Sequence, residues 1–188
     1  MLTIPNALTL LRGLGVPFFI VLGLDGSHDL IALGILIMGG ATDYLDGKLA
    51  RAWNQTSRFG ELADPAIDRL YILAVLVVLE RREAIPLWLV LLLVGRDLIL
   101  GLQLLVLKRR GISPLPVTYM GKAATFNLLY AFPFLLLTLQ SGRVGDIATI
   151  FGWAFAIWGV GLYLFTGATY FREGLRQLHQ GQLRQGRL

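Results

Sequence analysis

Four aspartates, Asp43, Asp46, Asp64 and Asp68, fall in the stretch DYLDGKLARAWNQTSRFGELADPAID, inside sequence otherwise apolar enough to cross a membrane. On a helix, Asp43, Asp46, Gly47 and Ala50 sit at i, i+3, i+4 and i+7 and share one face, while Gly60, Asp64 and Asp68 recur every four residues. Two carboxylates on each of two neighbouring helices, with glycines that let the backbones approach, suit the holding of divalent cations between the helices. Oxygen-only ligands favour Mg²⁺ or Mn²⁺ over zinc, since the chain has no cysteine and no histidine near this stretch. In a lipid-embedded protein such cations neutralise a phosphate or diphosphate, and the chemistry indicated is transfer of a phosphoryl-type group from an activated lipid.

The elements that must position these carboxylates are membrane helices. The 188 residues are 55% hydrophobic and only 15% charged, with mean hydropathy +0.66. Soluble domains carry about 25% charged residues, so most of this chain is expected in lipid. Absence of cysteine excludes a disulfide framework, a thiolate metal site and a thiol nucleophile. The net charge of +5 does not point to nucleic acid, because the basic residues sit at the ends of apolar segments rather than in one patch. The positive-inside rule and anionic headgroups explain them better. No cleavable signal is expected, since Arg12 interrupts the first apolar run and no A-x-A site follows.

Six apolar stretches, at about 8–24, 30–50, 62–79, 85–107, 119–139 and 147–170, predict an all-α integral membrane protein with six transmembrane helices. An even number of spans places both termini on one side. Lys48, Arg51 and Arg58, then Lys108, Arg109 and Arg110, then Arg172, Arg176, Arg184 and Arg187, outweigh the bases of the alternate links. Both termini and the aspartate stretch are therefore expected to face the cytoplasm. The expected division is a catalytic membrane domain at 1–172 and a basic cytoplasmic tail at 173–188, with REGLRQLHQ readable as an amphipathic surface helix.

Polar residues elsewhere leave alternatives open. Asn6, Thr9 and Arg12 are spaced by three; they form either an interfacial cap with a snorkelling arginine or a set pointing inward toward the aspartates. Arg96 and Asp97, after an apolar lead, are either an internal pair or part of an acceptor site. Lys122, just inside the fifth span, is placed to meet a phosphate. Charges within a span cost at least ~2.5–3.5 kcal/mol each, and Lys48 and Arg51 offset only part of four carboxylates. A structural ion-pair cluster would need more cations on the same faces. An ion or proton transporter would be expected to show repeats and broken helices, which are not seen in this sequence. A two-cation catalytic site accounts for the pattern best.

The spacing D-x2-D-G-x2-A-R-x8-G-x3-D-x3-D is matched in full by Asp43, Asp46, Gly47, Ala50, Arg51, Gly60, Asp64 and Asp68. It resembles the signature of the CDP-alcohol phosphatidyltransferases, and the six-span layout resembles theirs. The resemblance implies a homodimeric bundle of that family, with a cytoplasm-facing cavity, in the plasma membrane. Asp43, Asp46, Asp64 and Asp68 would hold two Mg²⁺ or Mn²⁺ ions on the diphosphate of CDP-diacylglycerol, and Asp68 would also take the proton of the acceptor hydroxyl. Gly47 would let the nucleotide approach, Arg51 and Ser57 would contact CDP, and Asn6 and Thr9 match an N-x2-T feature that meets the donor. The opening IPNALTLLRGLGVPFF, the GRD at Gly95 to Asp97 and LPVTYMGKAATFNLLY are similar to the actinobacterial branch of CMP-forming cardiolipin synthases. That branch implies phosphatidylglycerol as acceptor, with Arg96 and Lys122 toward its phosphate. The alternative acceptor is glycerol 3-phosphate, as in phosphatidylglycerophosphate synthases, with inositol phosphate behind it.

Overall fold

Long apolar runs with short polar links form helices because a helix satisfies its own backbone without water. A computed structural model describes residues 4–52, 58–113, 116 and 118–185; within helices, the side chains at 4–7, 44–47, 49–52, 58–62, 64, 65 and 181–185 lie outside the description. Among the described residues there are six α-helices and no strand: α1 (Ile4–Asp25), α2 (Asp29–Ala52), α3 (Arg58–Arg81), α4 (Leu87–Arg109), α5 (Tyr119–Leu137) and α6 (Arg143–Gln185). Four carry segments long and apolar enough to cross a membrane: Leu8–Asp25, Leu87–Arg109, Tyr119–Leu137 and Arg143–Gln180. The segment read as a basic tail continues α6 as far as Gln185.

The apolar residues on the outside agree with a membrane-embedded protein. Leu11, Leu14, Phe18 and Val21 form an exposed stripe on α1, and Trp88, Leu91, Leu98, Leu102 and Leu105 one on α4. Contiguous apolar stripes of this length are unfavourable in water and natural against lipid tails.

The chain divides into two compact units, Met1–Pro86 with Pro133–Thr149, and Leu87–Phe132 with Ile150–Leu188. In the first, α1 packs on both α2 and α3. The core stripe of α3 is Tyr71, Ala74, Val75, Val78 and Leu79, a helical i, i+3, i+4, i+7, i+8 face, and Phe19 of α1 is fully buried. Tyr71 is wedged between Gly15 of α1 and Gly39 of α2: a Cβ on Gly15 would collide with its hydroxyl, and one on Gly39 would lie 3.1 Å from the ring. Glycine leaves room for the hydroxyl at Gly15 and spares the ring a tight contact at Gly39, which lets the three helices close together.

The same unit is fastened at its other end by a buried polar clamp. Arg82 donates to both oxygens of Asp29, at 2.8 and 3.1 Å, and to the carbonyl of Gly23 at 2.7 Å. Gln140 donates to Asp29 at 3.2 Å. The hydrogen bond to Asp29 pushes the Arg82 pKa above its ordinary value, against a smaller effect of burial. The guanidinium lies against Gly26, whose φ of +78° turns the chain from α1 into α2.

In the second unit, Gln103 of α4 donates to the carbonyl of Phe171 at 2.8 Å, with Gly174 leaving room for the amide. Thr118 caps α5 by accepting from the Gly121 N–H at 3.2 Å, and the Tyr170 hydroxyl of α6 accepts from the Thr118 N–H at 2.7 Å. These contacts fix where α5 begins, one turn before Lys122.

Candidate active site

Asp43 and Asp68 sit where α1, α2 and α3 meet. Asp43 is carried by α2 and Asp68 by α3, and both carboxylates reach one guanidinium, that of Arg12 on α1. Arg12 Nη1 donates to Asp43 Oδ1 in a very short contact and lies 3.2 Å from Asp68 Oδ1. The structure thereby brings together two residues that sequence places on separate helices. The Arg12 side chain is 1% exposed, whereas the side chains of Asp43 and Asp68 are each 46% exposed. A buried positive group therefore backs two carboxylates whose remaining surface is open to a ligand.

Thr9, one turn before Arg12, is also buried at 1%. Of the two alternatives for Asn6, Thr9 and Arg12, the one pointing toward the aspartates holds for Arg12. Snorkelling fails for Arg12 because two carboxylates offer a better partner than the headgroup region. The backbone of Asn6 lies in α1, those of Asp46, Gly47 and Arg51 in α2 and that of Asp64 in α3, at the helical spacing that the sequence predicts; their side chains lie outside the described residues. Ser57 lies outside the described residues altogether.

Whether this place suits divalent cations can be judged from the donors. Carboxylate oxygens from two different helices converge on a single positive group, so negative charge is concentrated at one point that already demands a cation. The donors are all oxygen, the preference of Mg²⁺ and Mn²⁺. Among the described residues two carboxylates, those of Asp43 and Asp68, meet here, and no group of three or more possible metal ligands gathers; the oxygen donors are of the kind such ions take.

Arg96 and Lys122 belong to the second unit. Arg96 Nη1 lies 3.0 Å from Asp97 Oδ1, and the guanidinium stacks on the Tyr163 ring at 3.9 Å from its centre. The Tyr163 hydroxyl donates to the same Asp97 oxygen in a very short contact. The close approach of Arg96 to α6 requires Gly167, where a Cβ would lie 2.8 Å from Nε. Arg96 thus forms an internal pair with Asp97, while its buried Nε has no hydrogen-bond partner among the described residues. Lys122 is exposed, with its Nζ 5.7 Å from the Tyr119 ring centre. No motif or spacing in the sequence singles out Tyr163. The signal was Asp97 itself, because a carboxylate inside an apolar span must find more than one partner.

The profile of the CDP-alcohol phosphatidyltransferase family matches residues 2–158. A Streptomyces coelicolor protein named cardiolipin synthase (CMP-forming) is 52% identical over 174 residues, which are 90% of this chain and 81% of that protein. A Mycobacterium tuberculosis protein provisionally named a cardiolipin synthase is 42% identical over 169 residues, 90% of this chain and 81% of its own. Another from Mycobacterium tuberculosis, provisionally named a phosphatidylglycerophosphate synthase, is 33% identical over 185 residues, 96% of this chain and 84% of its own.

Proposed function

Because the chain belongs to the CDP-alcohol phosphatidyltransferase family, we propose that it transfers the phosphatidyl group of CDP-diacylglycerol to phosphatidylglycerol, yielding cardiolipin and CMP. The observation that carries the choice of acceptor is the 52% identity, over 90% of the chain, to a protein named cardiolipin synthase (CMP-forming). Similarity to a protein with a phosphatidylglycerophosphate synthase name is lower, at 33%.

In this reading Asp43, Asp46, Asp64 and Asp68 hold two Mg²⁺ or Mn²⁺ ions. When bound, the ions supply charge neutralisation at the diphosphate of the donor and at the departing phosphate. Asp68, half-exposed on α3, accepts the proton as the acceptor hydroxyl attacks the lipid-linked phosphorus. The phosphorus–oxygen bond to CMP breaks as the new one forms, and CMP leaves with the electron pair. Gly47 admits the nucleotide to the α2 backbone, Arg51 and Ser57 bind its phosphate and sugar, and Asn6 and Thr9 meet the donor from α1. Arg96 and Lys122 receive the phosphate of the acceptor; the exposed ammonium of Lys122 supports that role for it.

The same reading has six crossings, both termini and the aspartates on the cytoplasmic side of the plasma membrane, and a homodimer, as the family resemblance implies. Six crossings are supported by α2 and α3, whose charged ends are joined to exposed apolar stripes at Leu30, Ile37 and Met38 and at Leu70, Leu73 and Val77. Cytoplasmic termini are supported by the excess of Lys and Arg at the corresponding ends.

The test is an acceptor panel: purified protein with CDP-diacylglycerol and Mn²⁺, given phosphatidylglycerol, glycerol 3-phosphate or inositol phosphate in turn. CMP release with phosphatidylglycerol alone is expected. Release only with glycerol 3-phosphate would move the chain to phosphatidylglycerophosphate synthesis, and metal-dependent ion flux in liposomes without CMP release would favour a transporter.

A further inference from the structure

An arginine inside an apolar bundle stays charged, because its proton affinity is too high to give up. Burial to 4% exposure is then tolerable only beside counter-charges, and among the described residues Arg12 meets two, one on each of two other helices. The converse also holds. Asp43 and Asp68 would repel one another across the α2–α3 gap if nothing positive lay between them. The guanidinium is built into place, since its neighbours on α1 are themselves locked: a Cβ on Gly13 would lie 3.2 Å from Ile67 of α3, and one on Gly15 would strike Tyr71. This is a packed, buried group with its carboxylates half open on their other side.

We propose that Arg12 is a built-in stand-in cation, which holds Asp43 and Asp68 together across α2 and α3 when divalent cations are absent and competes with those cations for the same carboxylates. The inference rests on the reading that these aspartates hold divalent cations. It makes Arg12 a positioning residue, which acts through the two carboxylates. Two consequences of opposite sign follow. Without its guanidinium, the metal-free protein keeps two half-exposed carboxylates facing one another with no positive group between them and is less stable. The cation then meets more negative charge and no competitor, and binds more tightly. An arginine that served only packing, or only the donor's phosphates, would not produce both.

Wild type, Arg12→Met and Arg12→Lys, purified in detergent, are compared by thermal unfolding in EDTA and during Mn²⁺ titration, with Mn²⁺ binding followed separately by electron paramagnetic resonance. In Arg12→Met the midpoint in EDTA is expected to fall by several degrees and the Mn²⁺ Kd to tighten at least about tenfold, close to what 1.4 kcal/mol produces; Arg12→Lys falls between. Should Arg12→Met be too unstable in EDTA, the Arg12→Met/Asp43→Asn double variant is expected to recover stability, because one of the two repelling charges is gone. An unchanged or weaker Mn²⁺ Kd in Arg12→Met, with wild type binding normally, overturns the proposal and leaves the cation reading intact, and failure of the double variant to recover overturns it too. A wild type that does not bind Mn²⁺ at all overturns the cation reading and this inference with it.

Discussion

Replacing Asp29 by asparagine isolates the clamp that ties the far end of the first unit. The carboxylate is 5% exposed and accepts three hydrogen bonds, two from Arg82 and one from Gln140. Asparagine keeps the size but turns one acceptor into a donor, so an N–H faces either Arg82 or Gln140 and the guanidinium loses its counter-charge. Breaking a fully buried ion pair from one side costs about 3–5 kcal/mol. Arg82 is 21% exposed, so water reaches part of the orphaned group, and about 2–3 kcal/mol is the better figure. For a chain of this length that is a fall of about 4–12 °C in unfolding midpoint. Asp29 and Asp43 are both on α2, separated by about 20 Å at 1.5 Å per residue, so turnover per folded molecule at low temperature is expected to hold. Thermal unfolding in detergent and CMP release read the two quantities. Asp29→Asn with Arg82→Met, which removes both charges, is expected to regain at least half the loss. A midpoint for Asp29→Asn within about 1 °C of wild type would refute the assignment of the clamp.

Asp68→Asn is expected to lower CMP release by at least about 100-fold, the scale of a lost general base, while CDP binding by equilibrium dialysis is largely kept; retained turnover would remove Asp68 from the chemistry. Gly15→Leu is expected to lower stability by about 1–3 kcal/mol in a denaturation assay, since the new side chain must displace Tyr71 from between α1 and α2; a Leu tolerated without loss would show that this contact does not hold the three helices.

What the sequence determined by itself is local or periodic. Helical positions follow from the length of each apolar run, so the six predicted stretches lie within the six helices to a few residues, apart from the link residues at 85, 86, 138 and 139, and the extra length of α6. The shared face of Asp43 with Asp46, and of Asp64 with Asp68, needs only the pitch of one helix, and the signature identified the family because its spacing is a property of the chain. What remained open depended on which helices touch. Arg12 had two equal readings because its spacing with Asn6 and Thr9 is satisfied by a cap or by an inward face; only the packing of α1 on α3, through Gly13 and Gly15, places its guanidinium between Asp43 and Asp68. Arg82 is one of the bases of the alternate links, yet its charge is spent internally on Asp29, fifty-three residues earlier. Asp97 found Tyr163 across sixty-six residues in the same way. Charges in an apolar bundle choose partners by proximity in space, and that proximity is set by where glycines let helices close, which no single helical period records.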